Sequence, residues 1–186
     1  MAAQRALSSN TTAEVRVRTA AVSAVSLGRR LVRDNGPVTA PPARAPRPTR
    51  ADFVHWSTAT TRWADMDGFG HMNNARYFEL IDTAIDLHLQ EAIGGAVDSL
   101  DEIGLFAEIG CRFFQEVGYP APIDLGVAVE RVGRSSIVYR VGLFQGSTDA
   151  AAEGRVVVVY VDNTDPARPA TPLPGVIRAA AEGILR

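Results

Sequence analysis

The sequence predicts an α+β domain in which one sheet packs around a single long helix. Residues 75–95 repeat apolar side chains at every third or fourth position, as a helix with one buried face requires. One earlier segment and four later segments are rich in β-branched and aromatic residues, as strands are. A sheet wrapped around the helix is the simplest arrangement that buries the apolar faces of both.

The helix has the most regular pattern in the chain. Its sequence, "ARYFELIDTAIDLHLQEAIGG", predicts roughly five turns. Glu79, Asp82 and Asp86 lie off the apolar stripe, and Gly94-Gly95 predicts the end of the helix. The stripe consists of Tyr77, Phe78, Ile81, Ala84, Ile85, His88, Leu89 and Ala92.

Strands are predicted on both sides of this helix. The first covers residues 54–63, and the later ones cover residues 105–117, 124–132, 135–145 and 154–162. Gly133 and Arg134 predict a hairpin turn between the third and fourth of these strands. The last strand is almost continuously apolar, which is typical of a strand buried on both faces. A short helix is predicted after "PLP", over residues 175–185.

The first fifty residues have a different composition. They carry nine arginines against Glu14 and Asp34, a formal charge of +7, and end in the proline-rich "GPVTAPPARAPRPTR". We interpret residues 1–50 as a disordered extension, or as the product of a start site assigned too far upstream, with a short helix possible over residues 13–33. An organelle-targeting segment is the alternative. Residues 51–186 are then the folded domain.

The composition of the chain disfavours a membrane-spanning protein and a nucleic-acid-binding one. With 46% hydrophobic residues the chain can bury one good core, and no apolar run reaches the length of a membrane span. Residues 51–186 hold ten arginines and 19 acidic residues, a formal charge of −9 that disfavours a nucleic-acid partner. The single cysteine, Cys111, suits a reducing compartment, so we expect a cytoplasmic protein.

Polar and glycine residues are concentrated directly before the long helix. The stretch "DMDGFGHMNNA", residues 65–75, contains two carboxylates, two glycines, an imidazole and two carboxamides. A helix N-terminus offers backbone N–H groups without intrahelical acceptors and a partial positive charge. A carboxylate beside it suits acyl transfer, which needs a nucleophile or base together with a group that stabilises an oxyanion.

The longer segment "TRWADMDGFGHMNNARYFELID" resembles the signature of hotdog-fold acyl-CoA thioesterases of the 4-hydroxybenzoyl-CoA thioesterase type, D-x-D-x-x-G-H-V-N-N-A-x-Y. Met72 stands where that pattern has valine. The order of predicted strands and helices over residues 54–165 fits the same family. The matching positions are Asp65, Asp67, Gly70, His71, Asn73, Asn74, Ala75 and Tyr77.

The resemblance implies roles for most of these residues. Asp67 would be the nucleophile or the general base, with His71, Asn73 and Asn74 as further catalytic candidates. The backbone amides of residues 73–76 would stabilise the oxyanion. Substrate contacts would come from Gly70, Ala75 and Tyr77, and from Arg134, whose guanidinium would bind coenzyme A phosphates. No metal or other cofactor is implied.

Each residue also has a simpler interpretation. Asp67, Asn73 and Asn74 are residue types that commonly cap helices, and His71 would serve equally well as a hydrogen-bonded loop residue. Arg134 would serve as an exposed turn residue. We expect Asp65 to be structural, because it alternates with Asp67 and points to the other side of an extended chain.

Two other functions share the same fold. One is a non-catalytic acyl-CoA-binding or regulatory module, and the other is a thioesterase that acts on acyl carrier protein. The D-x-D-x-x-G-H-x-N-N pattern differs from that expected of a hotdog hydratase. A single sheet with one helix leaves edges uncovered, and the family forms homodimers or homotetramers, so we expect a homo-oligomer with sites at the subunit boundary.

Overall fold

The computed structural model describes residues 46–95 and 100–186. Neither helix within these residues combines the length and the apolar character that a membrane span needs. The predicted helix over residues 13–33 lies outside the described residues. The elements are β1 (His55–Ala59), α1 (Asn74–Ile93), β2 (Glu102–Phe113), β3 (Ile123–Val132), β4 (Ser136–Phe144), β5 (Ala152–Asp162) and α2 (Gly175–Glu182).

The five strands form one antiparallel sheet in the order β1-β3-β4-β5-β2. Helix α1 lies against one face of this sheet, and the main core is the layer between them. Ile81 of α1 packs so closely on β5 that a Cβ at Gly154 would lie 2.5 Å from its Cδ1 atom. The predicted α+β fold, a sheet around one long helix, is confirmed.

Helix α1 begins and ends close to the predicted positions. Asn73 is its N-cap, and Gly94 ends it in the left-handed conformation with φ 67°. Its buried residues are Tyr77, Leu80, Ile81, Ala84, Ile85, His88 and Leu89. The predicted stripe therefore faces the sheet, except that Leu80 is buried and Phe78 and Ala92 are not.

Strand β1 is shorter than predicted. It ends at Ala59, because the chain leaves the sheet where the Thr61 hydroxyl donates a hydrogen bond to the Ala121 carbonyl at 3.1 Å. A 3-10 turn, Trp63–Asp65, follows at once. The segment before Asp67 is therefore folded back toward α1 and does not continue as a strand.

The prediction that residues 154–162 are buried on both faces is correct only in part within this chain. Val156, Val158 and Tyr160 are buried on the face toward the main core. On the other face Val161 is buried, but Arg155 is exposed and Val157 and Val159 are only half-buried. The physical reason is that α1 covers one face of the sheet only.

The segment upstream of β1 contacts the sheet edge and the loop after β4. Arg47 donates from Nε to the Ala150 carbonyl at 2.7 Å, and Arg50 forms a 2.9 Å ion pair with Asp124 at the start of β3. The domain boundary at residue 51 stays a prediction, but residues 47–50 already contact the folded part.

Two histidines meet between β1 and α1. The rings of His55 and His88 lie 4.9 Å apart, and both Nε2 atoms are buried without a hydrogen-bond partner among the described residues. Glu91 lies 3.8 Å from the Nδ1 atom of His55. Burial, followed by the neighbouring His55, lowers the pKa of His88 below its ordinary value.

This lowered pKa predicts that the fold loses stability in mild acid. The unfolded chain binds a proton at His88 near its ordinary pKa of about 6.5, whereas the folded chain resists that proton. The free energy of unfolding should therefore fall as the pH drops below about 6.5. Urea unfolding of wild type and His88→Gln across this range should show a weaker pH dependence in the variant. An identical dependence in both proteins would contradict the prediction.

Candidate functional site

The loop between the 3-10 turn and α1 is closed on itself. Met66 and Met72 form an antiparallel bridge, and the Asp67 N–H donates to the His71 carbonyl at 2.9 Å. Gly70 sits inside this closed loop with φ 90°, a conformation that other residue types rarely adopt. Residues 67–71 therefore project as one tight turn whose polar side chains are held together.

The side chains of Asp67 and His71 are in contact at the open side of this turn. The Asp67 Oδ2 atom lies 3.2 Å from the His71 Nδ1 atom, and both side chains are partly accessible. The other carboxylate oxygen of Asp67 accepts the Phe69 N–H at 2.8 Å. One hydrogen bond fixes the carboxylate to its own loop, and the imidazole orients the second oxygen.

The backbone amides at the start of α1 are mostly occupied. The Asn73 N–H donates to the Asp65 carbonyl, the Ala75 N–H to the Asn73 side chain and the Arg76 N–H to the Asn73 carbonyl, each at 2.9 Å. The Asn74 N–H has no acceptor among the described residues. The sequence predicted that the amides of residues 73–76 stabilise the oxyanion. Among these four, only the Asn74 N–H has no acceptor in the described part of the chain and can bind an oxyanion.

Asp65 is structural, as expected from the sequence. Its side chain is 1% exposed, and its carboxylate accepts the backbone N–H of Arg62 at 2.8 Å and the guanidinium of Arg62 at 2.7 Å. The Arg62 hydrogen bonds hold the pKa of the Asp65 carboxyl below its ordinary value. Asp65 stays charged at neutral pH, but it is turned away from the open side of the loop.

The segment that follows β2 forms the second wall of the site. The Val117 carbonyl accepts the Met72 N–H at 2.9 Å, and Phe113 packs edge-on against Tyr77 with ring centroids 5.0 Å apart. Gln145 fixes the rest of this wall by donating to the carbonyls of Gly118 and Ala121. An open groove of about 660 Å³ runs between the two walls, lined by His71, Met72, Asn74, Tyr77, Phe113, Phe114, Gln115 and Glu116.

A second depression, of about 710 Å³, lies on the Asp67 side of the loop. Its apolar lining includes Trp63 and Tyr119, and Gly68 and Gly70 leave its floor without side chains. Asp67 lines this depression, whereas His71 and Asn74 line the first groove. The two openings adjoin at the 3.2 Å contact between Asp67 and His71, so the carboxylate and the helix amide border the same turn.

The structure places most of the predicted site residues in this region. Gly70 lines the depression, and Tyr77 lines the groove from its buried position on α1. Ala75 lies at the helix start, but its N–H is occupied by the Asn73 cap. Burial raises the pKa of the Tyr77 hydroxyl above its ordinary value, so Tyr77 stays protonated at neutral pH.

Arg134 lies elsewhere in the chain. It occupies the turn between β3 and β4, whereas Asp67 lies near the start of β3. Strand β3 has ten residues, so its two ends are roughly 30 Å apart. Arg134 can therefore reach an Asp67 site only if that site belongs to another copy of the chain.

Sequence reasoning missed the wall formed by residues 113–121. No motif marks these residues, because they reach the site through a backbone hydrogen bond from Met72 and through packing on Tyr77. Sequence reasoning also missed Arg62 and Arg76, whose charges surround Asp65. The only available signal was the presence of an arginine three residues before Asp65.

Comparisons with known proteins identify the family of this chain. A model of the thioesterase-like superfamily matches residues 61–181. The PA5185 protein of Pseudomonas aeruginosa is 35% identical, with a TM-score of 0.71, covering 75% of this chain and 97% of its own. No curated protein matches the sequence.

Two more distant structures share the fold. The 1,4-dihydroxy-2-naphthoyl-CoA thioesterase Slr0204 of Synechocystis is 15% identical, with a TM-score of 0.62 and coverage of 68% of this chain and 93% of its own. The Staphylococcus aureus protein SAV2348, solved in complex with CoA, is 12% identical, with a TM-score of 0.63 and coverage of 69% and 82%. The sheet around a single helix is therefore the hotdog fold.

The cap at Asn73 generates a stability prediction. Replacing Asn73 with alanine removes the acceptor of the Ala75 N–H and should lower the free energy of unfolding by about 1 kcal/mol. Asn73→Ser should restore most of that loss, because serine also caps helices well. Urea unfolding of the three proteins checks the prediction, and an alanine variant as stable as wild type would contradict it.

Proposed function

The chain belongs to the thioesterase-like superfamily, and we propose that it is an acyl-CoA thioesterase. It converts a thioester and water into a carboxylic acid and free coenzyme A. One observation supports this proposal most strongly: Asn74, whose N–H has no acceptor among the described residues, begins α1 beside the closed loop that carries Asp67. A thioester carbonyl between them has a carboxylate at its carbon and an N–H at its oxygen.

Asp67 supplies the attacking group by one of two routes. As a nucleophile, an Asp67 oxygen bonds to the carbonyl carbon, the C–S bond breaks and the coenzyme A thiolate leaves. Water then hydrolyses the resulting anhydride. As a general base, Asp67 takes a proton from a water molecule, whose oxygen attacks the carbonyl carbon directly. The C–S bond then breaks, and the coenzyme A thiolate leaves and takes up the proton.

Asn74 stabilises the charge that develops in either route. As the carbon becomes tetrahedral, negative charge builds on the carbonyl oxygen, and a fixed N–H at the positive end of α1 favours that charge. The first turn of α1 contains no acidic residue that would oppose it. His71 keeps the Asp67 carboxylate oriented through the 3.2 Å contact.

We also propose that the active protein is a homodimer, or a larger assembly of such dimers, formed through β2. This strand pairs only with β5 among the described strands, so its outer edge has unpaired backbone groups. Four large apolar side chains on it are 37–41% exposed: Leu105, Phe106, Ile109 and Phe113. Phe113 also lines the groove at Asn74, so a second copy on this edge would border the site.

The same dimer gives Arg134 a role. If two β2 edges pair antiparallel, the two sheets run in opposite directions. The β3–β4 turn of one copy then lies toward the Asp67 end of the other copy. Arg134 of the second copy then approaches the opening of the site. A guanidinium there would bind the phosphates of coenzyme A by paired, charge-assisted hydrogen bonds.

The proposed reaction predicts that Asp67→Asn loses activity. Thiol release from a panel of short-chain, long-chain and aromatic acyl-CoAs should fall by roughly a hundredfold or more, since asparagine can neither attack nor take the proton. Asp165→Asn is the matched control, because Asp165 also accepts the N–H two residues later, at 2.8 Å, but follows β5 at the opposite end of the sheet in the same chain.

Three outcomes separate the alternatives. Full activity of Asp67→Asn would contradict the role of Asp67. Wild type that binds acyl-CoA but hydrolyses no member of the panel would favour the non-catalytic binding module. Hydrolysis of acyl carrier protein thioesters alone would keep the chemistry and change the substrate.

The proposed dimer predicts that a charge on the β2 edge separates the subunits. Phe106→Asp should elute as a monomer in gel filtration and lose about tenfold or more of its activity, because a buried unpaired carboxylate is costly and the site lies at the boundary. Val176→Asp is the control, since Val176 of α2 is 41% exposed and Phe106 is 40% exposed. A wild type that is monomeric and fully active would refute the dimer.

A further inference from the structure

Arg76 occupies a position where a positive side chain is unfavourable by itself. It lies in the first turn of α1, where the helix dipole favours acidic residues and disfavours basic ones. Its side chain is only 22% exposed, so water screens the charge incompletely. A nearby negative group must therefore offset this charge.

Asp65 is that negative group. The Arg76 Nε atom lies 3.1 Å from the Asp65 Oδ1 atom, and Asp65 is almost completely buried. The contact is an ion pair and not an aligned hydrogen bond, because Nε has no hydrogen-bond acceptor among the described residues. The other side of the guanidinium pairs with Glu79, one turn further along α1.

The Arg76–Asp65 pair joins the two ends of the loop that carries Asp67. Arg62 binds the Asp65 carboxylate from the N-terminal side of the loop, and the Asp65 carbonyl accepts the Asn73 N–H at the helix start. Asp67 is two residues after Asp65, and Asn74 is two residues before Arg76. The same ion pair therefore connects the two segments on which the groups that meet the thioester lie.

We propose that Arg76 is a positioning residue for the hydrolysis: through Asp65 it sets the position of the Asp67 carboxylate relative to the Asn74 N–H. Arg76 also offsets the negative charge of Asp65 at the helix end where the oxyanion forms. This proposal rests on the proposed thioesterase activity. Arg76 itself touches no reacting atom, so its removal acts on the chemical step through geometry and leaves substrate contacts in place.

A kinetic comparison of Arg76 variants tests this role. Arg76→Met should lower kcat roughly 30-fold or more and change KM by less than about threefold, since a displacement near 1 Å can cost about a hundredfold in rate. Arg76→Lys keeps the charge but not the planar guanidinium, so its kcat should lie between those of wild type and Arg76→Met. Arg155→Met is the control, because it removes an exposed arginine ion pair, 2.9 Å from Glu130, outside the site.

The double variant Asp65→Asn with Arg76→Met shows whether Arg76 acts through Asp65. If it does, the double variant should have no lower kcat than the worse single variant. All variants are compared at matched secondary structure, by circular dichroism, and at matched oligomeric state. If the Asp65 variants do not fold, the kcat and KM of Arg76→Met and Arg76→Lys still decide the question.

Two results would overturn the proposal. One is a kcat of Arg76→Met within about threefold of wild type, or a loss no larger than that of Arg155→Met. The other is a double variant in which the two losses multiply, because the residues would then act independently. A wild type that hydrolyses no thioester would instead remove the proposed function itself, which separates that failure from a failure of Arg76.

Discussion

Four N–H groups at the start of α1 have no acceptors inside the helix, and the described chain provides acceptors for three of them. Asn73 provides two of these acceptors, its side-chain oxygen and its carbonyl, and Asp65 provides the third. The Asn74 N–H has no acceptor among the described residues. It lies at the positive end of a helix that has no acidic residue in its first turn. Asn74 is exposed, so this donor is accessible to a ligand, and it lies beside the loop that presents a carboxylate.

The rest of the fold keeps that amide and that carboxylate in place. Helix α1 is held against the sheet by its buried stripe and by the close approach of Ile81 to Gly154. The loop is closed by the Met66–Met72 bridge, and the Met72 amide ties it to Val117 on the opposite wall. The carboxylate therefore belongs to a loop that is bonded on both sides.

Much of this arrangement was predictable from the sequence. Helix α1 has a regular stripe and a glycine end signal, so its boundaries were predicted within about two residues. The D-x-D-x-x-G-H-x-N-N pattern predicted that Asp67 and the helix start would lie together. The sequence also indicated that Asp65 is structural, which its burial confirms.

Other features depend on contacts between distant segments, which no local pattern reveals. Asn74 was distinguished from Asn73 and Ala75 only by tracing each amide to its acceptor. The early end of β1 depends on a hydrogen bond between Thr61 and Ala121, sixty residues apart. The face of β5 opposite α1 is partly exposed, because the described part of the chain provides no second layer to cover it.

In the proposed reaction the thioester carbonyl binds at the Asn74 amide. Isotope-edited infrared spectroscopy of an acyl-CoA labelled with carbon-13 at its carbonyl, bound to the Asp67→Asn variant, measures this contact. A hydrogen bond from a helix N-terminus polarises the carbonyl, so we expect a C=O stretch at lower frequency than in water. A stretch at the same or higher frequency would show that the carbonyl does not bind at Asn74.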